Sequence, residues 1–206
     1  MKKIIALIMS IFVIFSLTGC GGEKPEDFLK TYLDIMCCKD EDKVLEKYIN
    51  GEEVDEQYKE YFGDDLQYFK SSGIDEFMLS IYKNLNYEII SVEEDGDKAN
   101  AKVSFSVIDF GKAYDQAMKD SVKWFMDNTS ASDSDITNKL MENFTKEINN
   151  AAKEGKFEQK EVTMILSKDD EGYWNVDNMN SAMNDLFEEG TNDINDINNN
   201  IESYFY

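Results

Sequence analysis

From Pro25 onward, apolar residues recur every three or four positions: Phe28, Leu29, Tyr32, Leu33, Ile35 and Met36. That period predicts an amphipathic helix over 25–38, with Pro25 at its first helical position. Lys39-Asp40 breaks the pattern, and Asp40 reads as the cap of a second short helix carrying Val44, Leu45, Tyr48 and Ile49, stopped by Asn50-Gly51. Val54, Tyr58, Tyr61 and Phe62 suggest further helical turns up to Gly63, and Leu66 and Phe69 continue to Ser71-Ser72-Gly73. Ile74, Phe77, Met78, Ile81 and Tyr82 form a fourth helical piece.

The period then drops from 3.6 to 2. Tyr87–Val92 is short and β-branched, and Glu93-Glu94-Asp95-Gly96 follows it. Ala99, Ala101, Val103, Phe105 and Val107 then alternate with Asn100, Lys102, Ser104 and Ser106. Two such runs around Asp-Gly predict a β-hairpin. A second hairpin pairs Val162, Met164 and Leu166 with Tyr173-Trp174-Asn175-Val176 across a turn at 168–172.

Between the hairpins, about 111–156, lies a helical insertion. Ala113, Ala117, Trp124 and Phe125 mark its first helix, 128–135 is loop-like, and Ile136, Leu140, Phe144 and Ile148 mark its second. Residues 179–187 predict one more helix, and 191–206 is expected to be a flexible acidic, Asn-rich tail. The domain reading is therefore a single α+β unit over 25–190.

Ahead of it, Lys2-Lys3 precede a 14-residue apolar run, Ile4–Leu17, too short for a spanning helix and typical of a signal h-region. Leu17-Thr18-Gly19-Cys20 follows, then Gly21-Gly22. This segment resembles the bacterial lipoprotein signal. The resemblance implies cleavage after residue 19, lipidation of Cys20, a tether over 20–24, and a domain held by acyl chains on the extracytoplasmic face of the cell membrane.

Removing residues 1–19 leaves 187 residues and takes the formal net charge from −22 to −24. The chain has 43 acidic residues and no histidine or arginine. Nucleic-acid binding lacks the basic footprint it requires. Histidine-based triads and His-ligated zinc are excluded, as is bidentate arginine clamping of phosphates. Carboxylates, lysines and tyrosines are the acid–base groups that remain. The acidic excess reads mainly as a solvated surface, with cationic peptides, basic protein patches or diffuse divalent cations as its electrostatic neighbours.

Cys37 and Cys38 are adjacent, a poor geometry for a disulfide, and read as a buried pair near the end of the first helix. Asp193-Ile-Asn195-Asp196-Ile-Asn198 alternates oxygen donors but lacks the glycine and terminal glutamate of a calcium loop; Asp133-Ser-Asp135 is shorter still. Both read as caps or solvated chain, and no metal or cofactor is expected. The ten methionines read as gap-filling core residues.

Helices, then a hairpin, then a second hairpin closing on Gly-Tyr-Trp-Asn-Val resembles small Gram-positive lipoproteins with a cone-shaped nuclear-transport-factor-like fold. The residues that carry the likeness are 90–99 with the alternating strand after them, and Asp169-Asp170-Glu171-Gly172-Tyr173-Trp174-Asn175-Val176. The resemblance implies N-terminal helices packed on a curved four-stranded antiparallel sheet, with the two-helix insertion at the cone's rim. Tyr32, Tyr87, Phe105 and Trp174 are then candidates to line a cavity. Enzymes of this fold, of isomerase or dehydratase type, use Asp, Tyr or His inside the cone, and Tyr32, Tyr87 and Asp109 are the nameable equivalents. Nothing in the sequence fixes their geometry. The leading expectation is a non-catalytic module that binds an envelope protein, a peptide or a small apolar ligand. An Asp–Tyr enzyme is the alternative, and an acidic cation-binding spacer the third reading.

Overall fold

The computed structural model describes residues 23–54 and 74–199. The expected signal peptide, Cys20, the helical turns read at Tyr58, Tyr61, Phe62, Leu66 and Phe69, and residues from 200 onward lie outside them.

Helix α1 (Pro25–Met36) starts on Pro25, whose missing N–H costs nothing in the first turn, and buries Phe28, Leu29, Tyr32, Leu33, Ile35 and Met36. It ends two residues earlier than the pattern suggests. Cys38 turns left-handed (φ 53°), the Lys39 N–H reaches back to the Asp34 carbonyl (2.7 Å) and the Cys38 N–H to that of Ile35 (3.1 Å). This is the usual helix-ending wrap, with cysteine where glycine is common. Helix α2 (Val44–Asn50) follows. Lys43, left-handed at φ 51°, rather than the expected Asp40 holds the N-cap position. Asp40 still serves the helix start from one turn upstream, accepting from the Val44 N–H at 2.8 Å, and Gly51 closes it at φ 69°. Helix α3 (Ile74–Asn84) then leads into the sheet.

The sheet is antiparallel in the order β1-β2-β3-β4. Strand β1 (Asn86–Asp95) turns through Gly96-Asp97 into β2 (Lys98–Ile108), and Gly96 supplies the positive φ (62°) that a two-residue hairpin turn needs. A register shift between Ile89 and Ser91 leaves Ile90 as the extra, exposed residue. The bulge keeps Tyr87, Ile89 and Val92 opposite Phe105, Val103 and Ala101 on the inner face, where strict alternation would have turned Val92 outward. Strand β3 (Phe157–Lys168) pairs with the whole of β2, and β4 (Trp174–Val176) adds three residues to its far end. The chain prolongs that edge with a side chain. Asn178 accepts from the Ile165 N–H (2.7 Å) and donates to the Thr163 carbonyl (2.8 Å).

Between the hairpins stand α4 (Phe110–Asp127) and α5 (Asp133–Lys153), and α6 (Met179–Asn199) ends the described chain. The α4–α5 pair is part of the core. Ala117, Phe144 and Ile148 are buried, Phe144 stacks on Phe77 of α3 (4.8 Å between ring centroids), and Asn143 donates to Ser121 across the pair at 2.9 Å. Trp124 and Phe125, expected on the apolar stripe of α4, are only half-buried. Helix α6 runs well past its expected end, so 191–199, expected as tail, is helical. The reason is tertiary. Phe187 packs edge-on against Phe110 of α4 (5.0 Å), and at Gly111 the helices approach so closely that a Cβ there would lie 2.5 Å from Asp193 Cβ.

The architecture is thus α+β: among the described residues, six helices and a four-stranded open antiparallel sheet. One sheet face carries Ala99, Ala101, Val103, Phe105, Val162, Met164 and Leu166, all buried in one continuous core. The other presents Asn100, Lys102, Thr163 and Ile165 to solvent.

Candidate functional site

At the end of the sheet where β2 leaves and β3 enters, a cleft of about 760 Å³ opens between the start of α4, the end of α5 and Phe157-Glu158. Local chemistry builds its walls. Asp109 caps α4, accepting from the Lys112 N–H at 2.9 Å and pairing with the Lys112 ammonium. Partial burial pushes its carboxyl up, but the hydrogen bonds and charge of Lys112 outweigh this and hold it below the ordinary aspartate value. On the α5 side Glu147 pairs with Lys146 (3.1 Å) and accepts from Asn150 (3.3 Å), and past the helix end Lys156 pairs with Glu154. Ala113, Ala151 and Phe157 are the apolar patches of the lining. A pocket of about 30 Å³ adjoins it, sharing Asp109 and Glu158 and reaching Asp193.

The residues expected to line a cone cavity are mostly core. Tyr32, Phe105 and Trp174 have no exposed surface. Burial drives the hydroxyls of Tyr32 and Tyr82 well above the ordinary tyrosine value; Tyr82 adds to the rise at Tyr32, and the thiols of Cys38 and Cys37 add to that at Tyr82. Cys37 and Cys38 are free thiols, the first buried and the second half-buried; burial pushes Cys37 up strongly and Cys38 up to about 12. Neither is a reactive thiolate at neutral pH.

Tyr87 is half-buried beside Phe105 (6.5 Å between rings) and does find an aspartate, though a different one from Asp109. Its hydroxyl donates to Asp34 Oδ1 at 2.6 Å and lies 3.2 Å from the Lys30 carbonyl, while Lys30 Nζ holds Asp34 Oδ2 at 2.6 Å. Desolvation raises the Asp34 carboxyl, but the two hydrogen bonds and the Lys30 charge win and lower it. Burial, then the bond to Asp34, raise the Tyr87 hydroxyl. The two shifts run apart, so the pair holds its proton on tyrosine and its charge on aspartate. Asp34 escaped the sequence reading because its only local signal is a Lys30 four residues earlier, an ordinary surface helix pair.

At the other end of α1, Trp174 Nε1 donates to the Glu23 carbonyl at 2.9 Å, and Lys168 Nζ sits 4.6 Å above the Trp174 ring. Helix α1 is therefore pinned at both ends, by Trp174 at the chain's entry and by Tyr87 at the helix exit. Among the described residues no group of three or more Cys, Asp or Glu is placed to hold a metal, and no helix is long and apolar enough to cross a membrane.

The model of a family described as a domain of unknown function, DUF5105, matches residues 20–189. No curated protein matches the chain. A solved structure similar to it is that of a "putative lipoprotein (ycdA)" from Bacillus subtilis, with a TM-score of 0.45 and 13% identity over 82% of this chain and 48% of that one. The chain thus spans about half the length of that structure.

Proposed function

We propose, for a chain that belongs to the DUF5105 family, the role of a membrane-tethered extracytoplasmic binding module that takes its partner on its surface. In this reading Cys20 carries the acyl chains and the domain engages an envelope protein or peptide. The observation that carries it is the filling of the inner sheet face. Trp174, Tyr32 and Phe105 are fully buried among the helices, while the 760 Å³ cleft at the sheet's end is open and lined by carboxylates, lysines and amides around the apolar patches of Ala113, Ala151 and Phe157. Such a lining suits the backbone and charged side chains of a peptide better than an apolar guest. If the fold is the nuclear-transport-factor-like cone, its own side chains occupy the cone.

A second reading, an Asp–Tyr enzyme, draws on the 2.6 Å bond between Tyr87 and Asp34. A general base works best with a pKa near the working pH, and these two groups are shifted away from it in opposite directions. We therefore read the pair as a structural staple.

The test is photo-crosslinking in native membranes, with the cross-linking residue placed at Gln116 in the cleft or at Lys102 on the exposed sheet face. The proposal expects a discrete envelope-protein adduct from Gln116 and none from Lys102. Adducts of equal yield from both positions, or none from the cleft, would remove it.

A further inference from the structure

Resting on the lipid-anchor reading above, we propose that the anchor also orients the domain. The end bearing the two hairpin turns faces the bilayer, and the cleft at the opposite end faces away.

The argument starts from the bond between Trp174 and the Glu23 carbonyl, which fixes where the chain enters the fold. Trp174 itself is immobilised, being fully buried and paired with Lys168 in the β3–β4 ladder. The Lys168 N–H donates to the Asp97 carbonyl at 2.9 Å, so the turn of the first hairpin stands beside the turn of the second. Entry point and both turns share one end of the sheet. From Cys20 to Glu23 is three residues, a reach of at most about 11 Å. A lipid on Cys20 therefore holds this end within about a Debye length of the headgroups. The cleft lies at the far end of β2, whose 11 residues at ~3.3 Å each place it roughly 33 Å further out.

Charge gives this end no attraction of its own to an anionic surface. Segments 23–27, 93–98 and 168–171 together carry ten acidic side chains against three lysines. An anionic leaflet repels such a surface, so the domain does not dock this way without its acyl chains. The tether's shortness imposes the orientation, and the partner is met at the end that projects from the surface.

The experiment uses the lipidated full chain in vesicles of phosphatidylcholine and phosphatidylglycerol containing an acceptor-labelled headgroup lipid. Donor dyes are placed at Asp170→Cys in the second turn or at Lys156→Cys in the cleft, both in a Cys38→Ser background. Energy transfer is expected to be several-fold stronger from position 170 than from 156. A flexible Gly-Ser segment of about ten residues inserted after Gly22 leaves the fold untouched and is expected to erase most of that difference. Equal transfer from the two positions in floating, lipidated protein overturns the orientation while leaving the anchor intact, and so does a difference that the spacer does not change. An unmodified Cys20 by mass spectrometry with no flotation overturns the anchor, and the orientation falls with it.

Discussion

Replacing Tyr87 with phenylalanine deletes one hydroxyl and leaves its ring against Phe105. The hydroxyl donates at 2.6 Å to Asp34, whose carboxylate side chain is a quarter exposed and keeps Lys30 as a second partner. A hydrogen bond to a charged group contributes ~1.5–3 kcal/mol, and the exposure and the surviving lysine place this one at the low end. Tyr87→Phe should therefore cost about 1–2 kcal/mol in urea unfolding, and Asp34→Asn about the same. The double variant should cost less than the sum, with a coupling of about 1 kcal/mol. The sign of the pH dependence follows from the carboxyl being lowered in the fold. Its contribution is fully present above the unfolded aspartate value, near 4, and is lost as pH falls through the lower folded value. The cycle should thus show its coupling at pH 7 and lose it in acid. A coupling within ~0.3 kcal/mol of zero at pH 7 would refute the staple, since strict additivity is the behaviour of independent sites.

At the alkaline end the signs reverse. The Cys38 thiol is raised from 9.0 to about 12, and burial raises Cys37, Tyr32, Tyr82 and Tyr87 as well. A raised folded pKa gives stability that is complete below the unfolded value and declines as pH climbs above it, so circular dichroism should report unfolding between about pH 9 and 12. A native spectrum at pH 12 would count against these assignments. Gly111→Ala should cost ~1–3 kcal/mol, because its Cβ meets the base of the Asp193 side chain and α6 must move; thermal unfolding unchanged from wild type would contradict that approach. Ser132→Ala removes half of a reciprocal cap in which Ser132 and Asp135 each accept from the other's N–H, and should cost about 1 kcal/mol in urea.

Much of this fold is local, and local rules suffice for it. The alternation from Ala99 to Val107 and the Asp-Gly at 95–96 specify the first hairpin, because side-chain direction in a strand repeats every two residues. Asp40 and Gly51 act within about one turn of helix, and the four-residue spacing of Leu140, Phe144 and Ile148 places all three in the core, with Ile136 only half-buried. Tyr32, Phe105 and Trp174, expected to line a cavity, are instead packed with no exposed surface, because packing depends on what fills the space from other elements.

What only the assembled chain decides are the meetings of distant residues. Asp34 finds Tyr87 53 residues away, and Glu23 finds Trp174 151 residues away. The bulge at Ile90 and the long reach of α6 likewise answer to neighbours, one to the inner face of β2 and the other to the missing side chain of Gly111. Charge, the lack of histidine and arginine, and the Leu-Thr-Gly-Cys segment were legible from composition and order alone, because they need no partner to have their effect. A hydrogen bond or a close approach requires two groups at one place, and only the folded backbone sets that coincidence.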